Sequence, residues 1–150
     1  MKKLIKSILI IISLDAIAQD EYVTSLINEL NSIRKNPYVY GKIIEIDLSY
    51  ISPKQPLLYS NTLSNKACEY LDFMINEYED LIHSGYPINE SLALTYPKSV
   101  IRELIIDNNV EDLGHRHHLL GYSKGSSNDS QIGVCYRNDG EFNYVIIWTK

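Results

Sequence analysis

Gln131-Ile-Gly-Val-Cys-Tyr136 and Asn143-Tyr-Val-Ile-Ile-Trp-Thr149, separated by Asn138-Asp139-Gly140, carry the reading on which the fold turns. Both runs are rich in β-branched and aromatic residues, and an Asp-Gly pair accepts the positive φ of a tight hairpin turn. They predict two antiparallel strands. Everything upstream reads mainly as helix and loop, so helices come first and the hairpin last. That is an α+β layout rather than a chain of βαβ units.

Moving back from the hairpin, residues 121–130 hold Gly, Ser and Asn and read as a polar loop. Gly114-His-Arg-His-His-Leu-Leu120 has room for one short helix. Val100, Ile101, Leu104 and Ile105 make the buried stripe of another, with Pro97 suited to its first turn and an end near Asp107-Asn-Asn109. The stretch Leu81 to Leu94 mixes turn residues with apolar ones and reads as a loop near the interior, with His83 and Glu90 in its middle. Ser60 or Thr62 can cap a helix in which Leu63, Ala67, Tyr70, Leu71 and Met74 keep helical spacing to about Tyr78. Residues 38–58 are apolar without a sustained period and read as a loop with a short strand or helix. Glu21 to Lys35 places Tyr22, Val23, Leu26, Ile27, Leu30 and Ile33 on one stripe of a first helix that stops at Asn36-Pro37.

The chain opens with Lys2, Lys3 and Lys6, an apolar run from Ser7 to Leu14 and then Ala16-Ile17-Ala18. Basic start, short apolar stretch and A-x-A ending predict a secretory signal peptide over residues 1–18 and an extracellular single domain over 19–150. A spanning helix needs ~20 apolar residues, so no stable membrane span is expected. Without this segment the net charge moves from −5 to −7, since three lysines and one aspartate leave. Such an acidic surface argues against nucleic acid as a partner. Secretion would permit a bridge between Cys68 and Cys135, but each lies in an apolar pattern, and two buried thiols are the preferred reading. Asn89-Glu-Ser91 and Asn128-Asp-Ser130 match the N-glycosylation pattern.

Three of the four histidines fall in Gly114-His115-Arg116-His117-His118, and the fourth is His83. On a helix His115 and His118 share a face, while His117 points elsewhere. By spacing alone these are surface or capping residues. His83, Glu90, Asp107 and His115 gain meaning as a group, because two imidazoles and two carboxylates in one cleft could hold a divalent ion or share protons. No Gly-x-Ser-x-Gly elbow and no His-Glu-x-x-His helix is present. Tyr38, Tyr40, Tyr86 and Tyr96, with Ile43, Ile44, Ile46 and Ile51 as an apolar wall, offer a groove for a lipid or peptide.

Taken in order, these pieces resemble the CAP superfamily of secreted proteins (cysteine-rich secretory, antigen 5 and pathogenesis-related proteins) in its microbial variant. The resemblance rests on Leu26-Ile-Asn-Glu-Leu-Asn-Ser-Ile-Arg34 with Pro37, Pro56-Leu-Leu-Tyr-Ser-Asn-Thr-Leu63 with Ala67, His83-Ser-Gly85 and Asn89-Glu-Ser-Leu-Ala93. Leu104-Ile-Ile-Asp107, Gly114-His-Arg116 with Leu119-Leu120, and Ile132-Gly-Val134 complete it. It implies a three-layer α-β-α sandwich around a small antiparallel sheet, and a cleft lined by His83, His115, Glu90 and a second acid. Asp107 is the choice for that acid and Glu103 the fallback. Ser91 stands where the family usually has Asn, Asp107 where it has Glu, and Leu104 where it has an aromatic.

Three functions follow as expectations. The leading one is a secreted binding module whose cleft takes zinc or another divalent cation at His83 and His115, or a small amphipathic ligand such as a sterol or lipid, in an extracellular interaction. The second is a metal-dependent, peptidase-like hydrolase with Glu90 as general base. In the third, a protein-interaction domain, the same residues only tie loops together.

Overall fold

The computed structural model describes residues 21–78, 81–95, 100–108 and 110–150. Helix α1 covers 21–35, followed by α2 (Pro37–Ile44), β1 (Leu58–Tyr59), α3 (Asn61–Glu77), β2 (Asn89–Thr95) and α4 (Val100–Ile106). Then come α5 (Gly114–Leu119), β3 (Gln131–Asn138) and β4 (Asn143–Thr149). The signal-peptide segment, Tyr96 and Pro97 lie outside the described residues.

The four strands form one sheet in the order β1-β3-β4-β2. β3 and β4 make the expected antiparallel hairpin, with Val134 opposite Ile147 and Asn138 opposite Asn143. β2 joins the far side of β4 antiparallel, Glu90 opposite Trp148 and Ser91 opposite Ile147. Two expectations are corrected here. Residues 89–94 are strand rather than loop, and the sheet is mixed, because the two-residue β1 runs parallel to β3. Within 38–58 the regular element is α2, which begins on the very proline that ends α1. Pro37 lacks the N–H that a helix interior needs, yet its fixed φ suits a first helical position.

Strand alternation explains the layers. Val134, Val145 and Ile147 face one way and pack on Leu26, Leu30, Ile33, Ile101, Ile105 and Leu119 from α1, α4 and α5. Their neighbours Cys135, Ile146 and Trp148 face the other way, onto Ala67, Leu71 and Met74 of α3. A small sheet with apolar side chains on both faces needs helices on both faces, and the result is an α-β-α sandwich of the α+β class. Among the described residues no helix is long and apolar enough to cross a membrane. A disulfide joins Cys68 of α3 to Cys135 of β3, correcting the preference for free thiols. Ser60 caps α3, its hydroxyl accepting the Leu63 N–H at 3.4 Å.

Gly133 marks the closest approach between layers. A methyl group built there would lie 2.4 Å from Leu63 Cβ and 2.5 Å from the Ser64 backbone nitrogen. Since the start of α3 cannot recede without breaking the Ser60 N–H bond to the Ile132 carbonyl and the Val134 N–H bond to Ser64 Oγ, Gly133→Ala should destabilise the protein by about 2 kcal/mol. Urea unfolding checks this, and an unchanged midpoint would show that α3 is not held tightly against β3.

Candidate functional site

Glu90 is at the second position of β2, on the α3 face, with its side chain only 6% exposed. Three donors hold its carboxylate: His83 Nδ1 at 2.7 Å and the Ser84 N–H at 2.9 Å on Oε1, and Trp148 Nε1 at 2.7 Å on Oε2. Because an ionised carboxylate only accepts, the proton of the His83–Glu90 bond belongs to Nδ1, and Nε2 becomes the lone-pair nitrogen of the neutral ring. The His83 side chain is 67% exposed. Its chain approaches the strand through Gly85, whose φ of 68° is open to glycine at no steric cost.

The second pair stands at the junction of α4 and α5. Asp107 ends α4 with a φ of 53°, a left-handed conformation that Asp tolerates better than most residues, and its side chain is buried. That backbone turn aims the short carboxylate back at α5. His115 Nδ1 donates to Oδ1 at 2.8 Å and the Arg116 N–H to Oδ2 at 3.2 Å. Arg116 is itself buried and caps the end of α4, donating through Nε to the Ile105 carbonyl at 2.7 Å and through Nη2 to that of Ile106 at 2.6 Å. Glu103, the fallback acid, is exposed on α4.

The four positions thus assemble as two imidazole–carboxylate pairs, His83–Glu90 and His115–Asp107. No hydrogen bond or ion pair links one pair to the other among the described residues. Neither Nε2 atom is bonded to a described residue. In both rings a buried acid holds Nδ1 and leaves Nε2 unbonded, the arrangement that orients a histidine toward a ligand; the His83 side chain is 67% exposed and that of His115 23%.

His118 connects the neighbourhood and was not among the expected site residues. It is buried, with Nδ1 2.6 Å from Ser91 Oγ and Nε2 2.7 Å from Thr149 Oγ1, and Thr149 Oγ1 in turn donates to Asp129 Oδ2. The chain of protons closes only if Ser91 donates to Nδ1, Nε2–H donates to Thr149 and Thr149 donates to the Asp129 carboxylate. His118 is therefore neutral. Burial, with repulsion from His115, Arg34 and His83 in their charged forms added, pushes its pKa down to about 3. The one sequence signal for this role was its position three residues after His115 on the same helical face.

A cleft of about 270 Å³ opens beside the first pair, lined by His83, Ser84, Tyr86, Ile88, Glu90 and His118 among others; His115 and Asp107 are not part of its lining, so the one cleft expected to hold all four residues takes in only His83 and Glu90. Asn89, also at its edge, donates its side-chain amide to the Gly125 carbonyl at 3.1 Å and to Asp129 Oδ2 at 2.8 Å. The amide of the Asn89-Glu-Ser91 pattern is thus committed inside the fold. The groove expected from Tyr38, Tyr40 and the isoleucines does not form as such. Ile43 is 73% exposed, Ile51 is buried, and Tyr40, Ile44 and Ile46 pack onto the core. His117 faces away from the cleft, against Tyr50 and Tyr122.

The donor set does not match a resident zinc. Among the described residues no group of three or more His, Cys, Asp or Glu side chains is placed to hold a metal ion. Both carboxylates are occupied by imidazole and N–H donors, leaving the two Nε2 atoms, where a catalytic zinc takes three protein ligands. Nor is Glu90 set up as a general base, with three of its roughly four acceptor positions filled. No protein-family model matches the chain, and no curated protein matches it either.

Proposed function

We propose that this chain is a secreted binding module of the CAP type, in which the cleft beside His83 receives the polar end of a small amphipathic ligand. The observation that carries the proposal is the unbonded Nε2 of His83, its ring fixed by the buried Glu90 at the rim of a cleft with both apolar and polar walls. Fixed polar groups among apolar ones give orientation and selectivity without requiring chemistry. A divalent cation enters this reading only as an exchangeable partner of the imidazole nitrogens. The α-β-α sandwich and the order of the quoted segments support the family assignment.

Calorimetric titration of the purified protein with a solubilised sterol, with and without zinc, tests the proposal. Saturable binding is expected, abolished by His83→Ala and weakened roughly tenfold by Glu90→Gln, since loss of the carboxylate frees the ring to turn. Identical heats for the wild type and His83→Ala would remove the cleft from the reading.

A further inference from the structure

A second groove, of about 630 Å³, shares the Tyr86–Ile88 segment with the first. Its floor is one face of α3, where Lys66, Glu69, Tyr70 and Phe73 follow helical spacing, and its end is formed by Trp148 and Lys150. Tyr70 and Trp148 present rings inclined by only 30° at 6.3 Å. Tyr86 crosses both steeply, at 82° and 68°, with centroids 6.1 and 5.6 Å away. Phe73 extends the row toward Tyr78, and Tyr86, Phe73 and Tyr78 are 58%, 48% and 47% exposed. So many half-exposed aromatics in one patch are more than scattered surface residues explain.

The charges narrow the choice of occupant. Lys66 and Lys150 make no ion pair with a described residue, and Glu69 is the one carboxylate on the groove wall. Two lysine side chains thus face one glutamate here, in a chain whose overall charge is −5. Two unpaired lysines can donate to the hydroxyls of a neutral sugar, but they gain more from the full negative charge of a carboxylate. Slots between crossed aromatic rings are what proline rings and extended, PPII-like backbones enter, because that backbone is ordered before it binds. Tyr86 also has a phenol with no partner among the described residues, a donor for a peptide carbonyl. We propose that the Tyr70–Tyr86–Trp148 groove docks an extended acidic peptide in which Asp or Glu neighbours proline or an aromatic residue. The groove shares Tyr86 and Ile88 with the His83 cleft, but the proposal uses neither His83 nor Glu90.

The test is selection of a displayed random octapeptide library on the purified chain, followed by calorimetry with the enriched peptide as a synthetic probe. Fluorescence of Trp148, the single tryptophan of the chain, gives a second readout at the groove itself. The expected result is enrichment of acidic residues beside proline or aromatics, with affinity that falls as salt rises. Lys66→Glu with Lys150→Glu should weaken the probe at least tenfold, and Tyr86→Ala should do the same. Both variants alter exposed side chains, so the melting temperature should stay within a few degrees. His83→Ala should leave the affinity within twofold, which separates this site from the cleft. Failure to enrich any sequence, enrichment without acidic residues, or full affinity in the lysine variant would overturn the proposal. So would displacement of the probe by a neutral oligosaccharide, which would make the groove a sugar site.

Discussion

Breaking the Cys68–Cys135 bridge is expected to lower the free energy of unfolding by about 4 kcal/mol, with a fall in melting temperature of roughly 10–15 °C. The bridge spans 67 residues, so it removes a large share of the unfolded chain's freedom while holding α3 on β3 in the native state. On the chain-entropy account a loop of 15 residues is worth ~3 kcal/mol and one of 100 residues ~4.7, which places this one near 4. The location adds to the effect. Cys135 is buried in the smaller core cluster with Ala67, Leu71, Ile146 and Trp148, and Trp148 is one of the three groups that fix Glu90. Loosening that layer should therefore expose the cleft to distortion before the larger cluster of α1, α4 and α5 gives way. Thermal melts with and without reductant, and of Cys68→Ala/Cys135→Ala, measure the effect. Equal melting temperatures would mean that packing of α3 alone holds this layer, with the Asp72–Arg137 pair at 2.7 Å beside the bridge sufficient to keep it in register.

What could be read from the chain and what could not divide along a physical line. The hairpin was legible because its two strands are long, β-branched and joined by a residue pair made for the turn, so every local signal agrees. α1 and α3 were legible for the same reason at helical period. β2 was not, because Asn89, Glu90 and Ser91 are polar residues in a strand that local pattern assigns to a loop. Beyond the His83 and Ser84 donors to Glu90, their polarity is satisfied by Asp129, Trp148 and His118, partners that lie 27 or more positions away and leave no trace nearby. α2 was hidden by Pro37, which signals the end of one helix as clearly as the start of the next. Asp107 was named from its order in the chain, but its reach to His115 depends on a left-handed backbone that composition does not announce. The disulfide depended on α3 packing over β3, a tertiary fact. His118 was the largest omission, since a histidine in a basic-looking run gives no hint that it is buried and uncharged.

That uncharged histidine sets a pH dependence with a definite sign. His118 has a folded pKa of about 3 against 6.5 when exposed. Above pH 6.5 neither state carries the proton, and this group leaves stability independent of pH. Below pH 6.5 the unfolded chain gains a proton that the folded chain refuses, so stability falls by about 1.4 kcal/mol per unit until the folded imidazole titrates near pH 3. Between pH 7.5 and 4.5 the wild type should lose about 3 kcal/mol more than His118→Gln, whose amide does not titrate while the surrounding carboxylates remain common to both. Urea unfolding of the two proteins at both pH values gives the difference directly, and parallel pH profiles would show that His118 already binds a proton in the folded state. Should the glutamine variant fail to fold, NMR of the wild-type ring decides the matter alone. Its Nδ1 accepts from Ser91 and its Nε2–H donates to Thr149, so the ring nitrogens should keep the signature of one neutral tautomer down to pH 4.5.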